Sequence, residues 1–199
     1  MTQFWDNRYS TRQFVYGKEP NHFFSSELKK ISPGSILLPG EGEGRNAIYA
    51  ARSGWTVDAF DQSRQGYQKA IAYALELDLQ INYDVCRMGD FKFKPGHYDV
   101  VALINFHAGR PETEYLHRKV CESLKPGGRV ILEAFHKEQL GNDSGGPGSL
   151  EMLFDENMIQ SDFEGLDPLL LEKSRTSMNE GCSHQGEAII IRYTGIKSK

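Results

Sequence analysis

Apolar positions in the middle of the chain fall in short runs, separated by stretches with helical spacing. Ser35–Pro39 (SILLP) predicts a first strand, and Arg45–Arg52 a helix that Gly54 stops by accepting the left-handed conformation. Residues 57–61 (VDAFD) predict a second strand. Ser63 is placed to cap the next helix, in which Tyr67, Ala70, Ile71, Ala74 and Leu75 fall at i, i+3, i+4, i+7 and i+8. Residues 81–85 predict a weaker third strand. Residues 100–104 (VVALI) are apolar at every position, as a parallel strand covered on both faces requires. A helix over 113–124 ends at the breaker Lys125-Pro-Gly-Gly128, and 130–132, extended through Phe135, predicts a fifth strand. Alternation of strand and helix over 35–135 means an α/β, Rossmann-like, doubly wound sheet with right-handed crossovers.

Beyond Phe135 the pattern changes. Residues 136–149 (HKEQLGNDSGGPGS) form a 14-residue loop with four glycines, and loops of that length are usually functional or disordered. A helix over 150–161 follows. Two late strands, 169–175 and 188–193, flank a Gly- and Ser-containing connection, which suits an antiparallel hairpin.

Composition narrows the class. The 199 residues amount to about one domain, long enough to bury a core without disulfides. Twenty-three Lys and Arg against 27 Asp and Glu leave a net charge of −4, a poor footprint for nucleic acid. No run approaches a membrane span, and the opening MTQFWDNRYS lacks an apolar signal core. Cys86, Cys121 and Cys182 lie far apart, which reads as reduced thiols in a cytoplasmic protein, and no ligand spacing suggests a metal. No G-x-S-x-G elbow supports a serine triad.

Candidate chemistry gathers at the strand ends. Gly40, Gly42 and Gly44 follow the first strand and open a helix, where glycine allows close backbone approach to a ligand. The dinucleotide pattern G-x-G-x-x-G would need its third glycine at Arg45, so pyrophosphate binding is disfavoured. Asp61, 21 residues after Gly40 at the end of the second strand, is placed to accept both hydroxyls of a ribose. Together these features predict a nucleoside-containing cofactor.

Several runs then carry a family resemblance. Leu38-Pro-Gly-Glu-Gly-Glu-Gly-Arg-Asn-Ala47, Asp61-Gln-Ser63, Tyr98-Asp-Val100 and Leu124-Lys-Pro-Gly-Gly128 together resemble class I S-adenosylmethionine-dependent methyltransferases. The G-E-G-R-N form is similar to the tellurite-resistance and thiopurine methyltransferase-like branch. So are WDNRY at 5–9, Gly17 with Pro20-Asn21, Gly145-Gly-Pro147, and Glu180-Gly with His184 and Gly186. The resemblance spans nearly the whole chain. It implies a seven-stranded sheet, mostly parallel with an antiparallel last strand, S-adenosyl-L-methionine as cofactor, a glycine turn around its methionine and Asp61-Gln62-Ser63 at its ribose. Where many such enzymes carry an acid, two positions before the first motif glycine, this chain has Leu38. Either Glu41 or Glu43 then contacts the cofactor's amino group.

The same family places adenine contacts at Gly89-Asp90-Phe91. There Asp90 would accept from the amino group and Phe91 cover the ring, or the segment is a polar turn with a core aromatic. Asn105 ends the fourth strand as a cofactor or substrate contact, with His107 as a solvent-facing loop residue. Arg45 either meets the methionine carboxylate or lies on the helix surface, and Asn46 secures the loop. Trp5, Tyr9, Tyr16, Phe23 and Phe24 make an aromatic N-terminus, a lid or a packed helix, with Trp5 and Tyr16 assigned to the site. His136 and His184 are the catalytic candidates, each with a structural alternative.

The expected activity is in-line methyl transfer to a small soft nucleophile: a thiol, a thiopurine-like compound or a chalcogen oxyanion. A thiolate or oxyanion needs no base, in keeping with the lack of an obvious one. A nicotinamide oxidoreductase and a non-catalytic cofactor-sensing module are the alternatives. Residues 1–199 divide into an N-terminal segment (1–34), a cofactor core (35–135) and a substrate loop with hairpin (136–199). That leaves room for a small acceptor and little for a macromolecule.

Overall fold

A computed structural model describes residues 2–198. Seven strands form one sheet in the order β3-β2-β1-β4-β5-β7-β6. β1 (Ser35–Pro39), β2 (Thr56–Asp61), β3 (Asn82–Val85), β4 (Tyr98–Ile104) and β5 (Leu124–Phe135) pair in parallel. β7 (His184–Ile196) runs antiparallel between β5 and β6 (Asp167–Glu180), as the hairpin reading expects.

The period of two along each strand divides the core between two faces. Leu37, Val101, Leu103, Val130 and Leu132 join Leu116, Val120 and Phe163 on one face. Their neighbours Ile36, Leu38, Val100, Ala102 and Ile131 join Phe24, Leu28, Ala47, Ala50 and Ala70 on the other. Helices α2 (His22–Leu28), α3 (Arg45–Arg52) and α4 (Arg64–Glu76) contribute to the second face, and α5 (Arg110–Ser123) and α6 (Glu156–Asp162) to the first. α1 (Thr2–Tyr9) lies against α4, where Asp6 accepts from Ser63 Oγ at 2.6 Å and from the amide of Gln65 at 3.1 Å.

Several boundaries move. Leu75, expected in the core, is exposed, because α4 buries a narrow stripe of small residues, Gly66, Ala70 and Ala74. α5 ends just before Lys125-Pro-Gly-Gly128 as expected, but that run lies inside β5, which begins at Leu124 and carries an irregularity in its register with β4. The expected 150–161 helix is a 3-10 turn at Leu150–Met152 followed by α6. The hairpin strands are longer than expected, because pairing continues from Asp167↔Ile196 to Glu180↔His184. No helix of the described residues is long and apolar enough to cross a membrane.

Candidate functional site

At the end of β1 the chain turns through Gly40, Gly42 and Gly44, all at positive φ. A Cβ on Gly40 would lie 2.5 Å from the Phe106 ring, and one on Gly44 would lie 2.6 Å from the Ala70 methyl. Neighbouring strands hold the turn. The amides of Gly40 and Glu41 donate to the Phe60 carbonyl at 2.8 and 3.2 Å, and the Tyr83 hydroxyl donates to the Gly42 carbonyl at 2.7 Å.

Asp61, at the end of β2, ties this turn to the next helix. Its Oδ2 accepts from the amide of Gly42 at 3.1 Å and its Oδ1 from that of Ser63 at 2.7 Å. Burial pushes its carboxyl up to about 6 against these amides. Glu41 turns back on the helix that follows it, and its Oε1 accepts from the amides of Asn46 and Ala47 at 2.9 and 2.7 Å. Burial raises it to about 7. Glu43 is spoken for: its two oxygens accept from the Val15 amide at 2.7 Å and from Lys69 at 2.6 Å.

β1 and β4 are where the strand order reverses, the usual crevice of open α/β sheets. A cavity of about 1320 Å³ opens there. Gly40, Glu41, Glu43, Asn46, Asp61 and Gln62 border it, as do Gly89, Asp90 and Asn105. Trp5, Tyr16 and His184 border it too, as does Arg45. Trp5 stacks on Tyr9 with ring centroids 5.5 Å apart. Asn105 is unusual: it has φ 53°, and both its Oδ1 and its Nδ2 are buried without a hydrogen-bond partner among the described residues.

Four candidates do not border the cavity. Gly42 is covered by Tyr9, whose hydroxyl lies 2.6 Å from where a Cβ would be. Ser63 is fully buried and caps α4 through the Gly66 amide. Phe91 stacks on Phe60 with ring centroids 4.3 Å apart, so its ring belongs to the core. His136 is buried with both nitrogens occupied, Nδ1 by the Glu138 amide at 3.1 Å and Nε2 by Glu156 at 3.2 Å.

Residues not assigned to the site from sequence complete the wall. His107, expected in solvent, borders the cavity with Nδ1 2.7 Å from the Met152 carbonyl, and burial pushes its pKa down to about 4. Arg8 lies over the rings of Phe4, Trp5 and Tyr16 and donates to the Tyr16 hydroxyl at 3.0 Å. Its signal was the WDNRY run. Behind the wall, Asn21 donates to Glu133 and Glu180, while Asn46 Oδ1 accepts the Asn21 amide at 2.9 Å. The Asn46 side chain thus fastens the N-terminal segment at the start of α2, where the sequence placed its bond in the glycine loop.

Known proteins agree with this architecture. Residues 36–128 match the family described as Methyltransferase domain. A ubiquinone biosynthesis O-methyltransferase from Escherichia fergusonii is 31% identical over 103 residues, 51% of this chain and 43% of that protein. The chain therefore aligns with less than half the length of that curated relative. TehB from Haemophilus influenzae superposes with a TM-score of 0.73 at 16% identity, over 99% of this chain and 67% of that one. The Burkholderia thailandensis 1,6-didemethyltoxoflavin-N1-methyltransferase, solved with 1,6-didemethyltoxoflavin and S-adenosylhomocysteine, superposes at 0.64 and 16% identity, over 88% and 75%. The seven-stranded architecture is the fold of S-adenosylmethionine-dependent methyltransferases, and the family match covers it from β1 to the start of β5.

Proposed function

We propose that the chain binds S-adenosylmethionine and transfers its methyl group to a small acceptor. The buried, unpartnered Asn105 amide carries this reading. It lies at the sheet's switch point and borders the same cavity as the acid ending β2. An amide left without partners costs about 1–3 kcal/mol in a folded protein, and a polar ligand in the cavity removes that cost. The glycine turn supplies the close approach a methionine chain needs, since a Cβ on Gly40 would already collide with Phe106.

The residues fit this cofactor. Asp61 would accept from the ribose hydroxyls. Glu41 rather than Glu43 would meet the amino group, because Glu43 is committed to Val15 and Lys69. Met88, Gly89 and Asp90 would border the adenine, and Trp5, Tyr9 and Tyr16 would exclude water. When bound, the cofactor supplies an electrophilic methyl on a positively charged sulfur. The chain's part is then to hold the acceptor in line, and positioning of this type contributes roughly 7–11 kcal/mol. The acceptor belongs to the thiol, thiopurine-like or chalcogen oxyanion class, as the family resemblance implies.

Calorimetry with S-adenosylmethionine, S-adenosylhomocysteine and NAD tests the reading, followed by transfer of a radiolabelled methyl to a panel of thiols and oxyanions. Binding of NAD without S-adenosylhomocysteine refutes it. Tight S-adenosylhomocysteine binding without transfer to any acceptor would instead favour a sensor.

A further inference from the structure

One histidine on the cavity wall has its proton placed by its surroundings. His184, the first residue of β7, is buried, and its Nδ1 lies 3.1 Å from Glu180 Oε2 across the hairpin turn. That same oxygen accepts from Arg45 at 2.9 Å, and Glu180 Oε1 accepts from Asn21 at 3.1 Å. Burial alone would raise Glu180, but the bonds from His184 and Arg45 outweigh it and hold the carboxyl at about 2. A permanent carboxylate at Nδ1 makes that nitrogen the donor of a neutral imidazole, so Nε2 keeps its lone pair. No described residue hydrogen-bonds Nε2, and the side chain borders the cavity.

The packing keeps the ring in this pose. Tyr16 lies 4.6 Å away centroid to centroid, and the edge of Phe135 lies 5.1 Å away. A Cβ on Gly145 would come within 2.6 Å of His184 Cδ2, which accounts for glycine in the Gly145-Gly-Pro147 run. The ionisable groups facing the ring are Glu180 from β6, Arg45 from α3, Tyr16 from the N-terminal segment and the neutral His107 after β4.

We propose that His184 is the general base of the methyl transfer, and that the acceptor therefore arrives protonated, as a small thiol, thiopurine-like N–H or S–H, or hydroxyl compound, rather than as a pre-formed oxyanion. The inference rests on the methyl-transfer reading. The acceptor's proton passes to His184 Nε2, and the electron pair it leaves behind forms the bond to the methyl carbon. The carbon–sulfur pair stays on sulfur. The positive charge lost there reappears on the imidazolium, beside Glu180. Glu180, Arg45 and Asn21 are positioning residues.

Two measurements test this. Nitrogen-15 NMR of the histidine rings, with S-adenosylhomocysteine added and no acceptor, reads the tautomer directly. The Nδ1–H form is expected at His184. An Nε2–H form overturns the proposal. Kinetics use 2-mercaptoethanol and catechol as protonated probes and selenite as the ionised one. His184→Gln should lose 10²- to 10⁴-fold in kcat on the protonated probes, with KM and S-adenosylhomocysteine affinity within threefold of wild type. Equal loss on selenite, or wild-type transfer to selenite alone, overturns it. If the Gln variant fails to fold, His184→Asn is measured in its place. Failure of the wild type to bind S-adenosylhomocysteine removes the methyl-transfer reading itself, and the tautomer still reports on His184.

Discussion

Replacing Glu41 by Gln should make the ligand-free protein more stable while weakening its site. Glu41 uses one oxygen to accept from two amides at the start of α3, and Gln keeps that carbonyl acceptor. What it removes is a charge that burial disfavours. The carboxyl is raised from 4.5 to about 7 in the folded chain, and 1.36 kcal/mol for each tenfold change in proton affinity makes the ionised form cost about 3 kcal/mol. The folded chain holds this proton more tightly than the unfolded chain. The cost is therefore absent below pH 4.5, grows between 4.5 and 7, and is complete above 7. His107 acts in the opposite sense. Burial lowers it from 6.5 to about 4, so stability is lost as pH falls through that range. Asp61, raised from 3.8 to about 6, slopes in the same sense as Glu41, so Glu41→Gln removes one of two contributions that oppose His107. Urea denaturation without ligand, in steps from pH 4 to 8.5, checks this. The variant should exceed wild type by about 2–4 kcal/mol above pH 7.5 and match it near pH 4. A gap that does not change with pH, or no gap at pH 8, refutes the reasoning. Calorimetry on the same variant should show weaker S-adenosylhomocysteine binding, so stability and affinity move in opposite directions.

Asp61→Ala should weaken S-adenosylhomocysteine binding by about 1.5–3 kcal/mol, the range for hydrogen bonds to a charged group, as read by calorimetry. Asn105→Gly should change unfolding free energy by no more than about 1 kcal/mol, because glycine accepts φ 53° without strain and an unpartnered amide disappears. The same variant should lose ligand affinity. Asp162→Ala should cost about 1–3 kcal/mol in urea denaturation, since it leaves the buried His117, 2.8 Å from Asp162, without a partner, while Arg110 keeps Glu114. Asp162 does not border the cavity, so ligand binding by the folded fraction should be unchanged.

The sheet was legible because each strand alternates its neighbours between two apolar faces, a local signal. Leu75 misled because helical spacing marks a stripe without giving its width. α4 approaches the glycine turn on Gly66 and Ala70, so close that a residue one position beyond Ala74 already faces water. The far end of β6 was hidden for another reason: Thr176–Glu180, on an edge strand, is polar except for Met178 and has no apolar run to announce it. At the site, the glycine turn and Asp61 were readable because both lie at strand ends within one β-α-β unit. His107 was not, because what buries it is a segment 45 residues later. The pairing of Arg45 with Glu180 spans 135 residues and leaves no local trace.

The place of β7 also sets an order of events. It is the last strand in the chain yet lies between β5 and β6, so β6, 14 residues long, has no route into the sheet until β7 has docked. The same hairpin turn meets the N-terminal segment, with Cys182 donating its amide to the Val15 carbonyl at 3.0 Å. During synthesis β1 to β5 can pair as they emerge, whereas the wall that carries His184 must wait for β7. A product truncated before β7 would therefore keep the glycine turn and Asp61 but lack His184, and would carry β6 as an unpaired, aggregation-prone strand. Docking of β7 thus acts as the checkpoint for bringing His184 to the cavity wall.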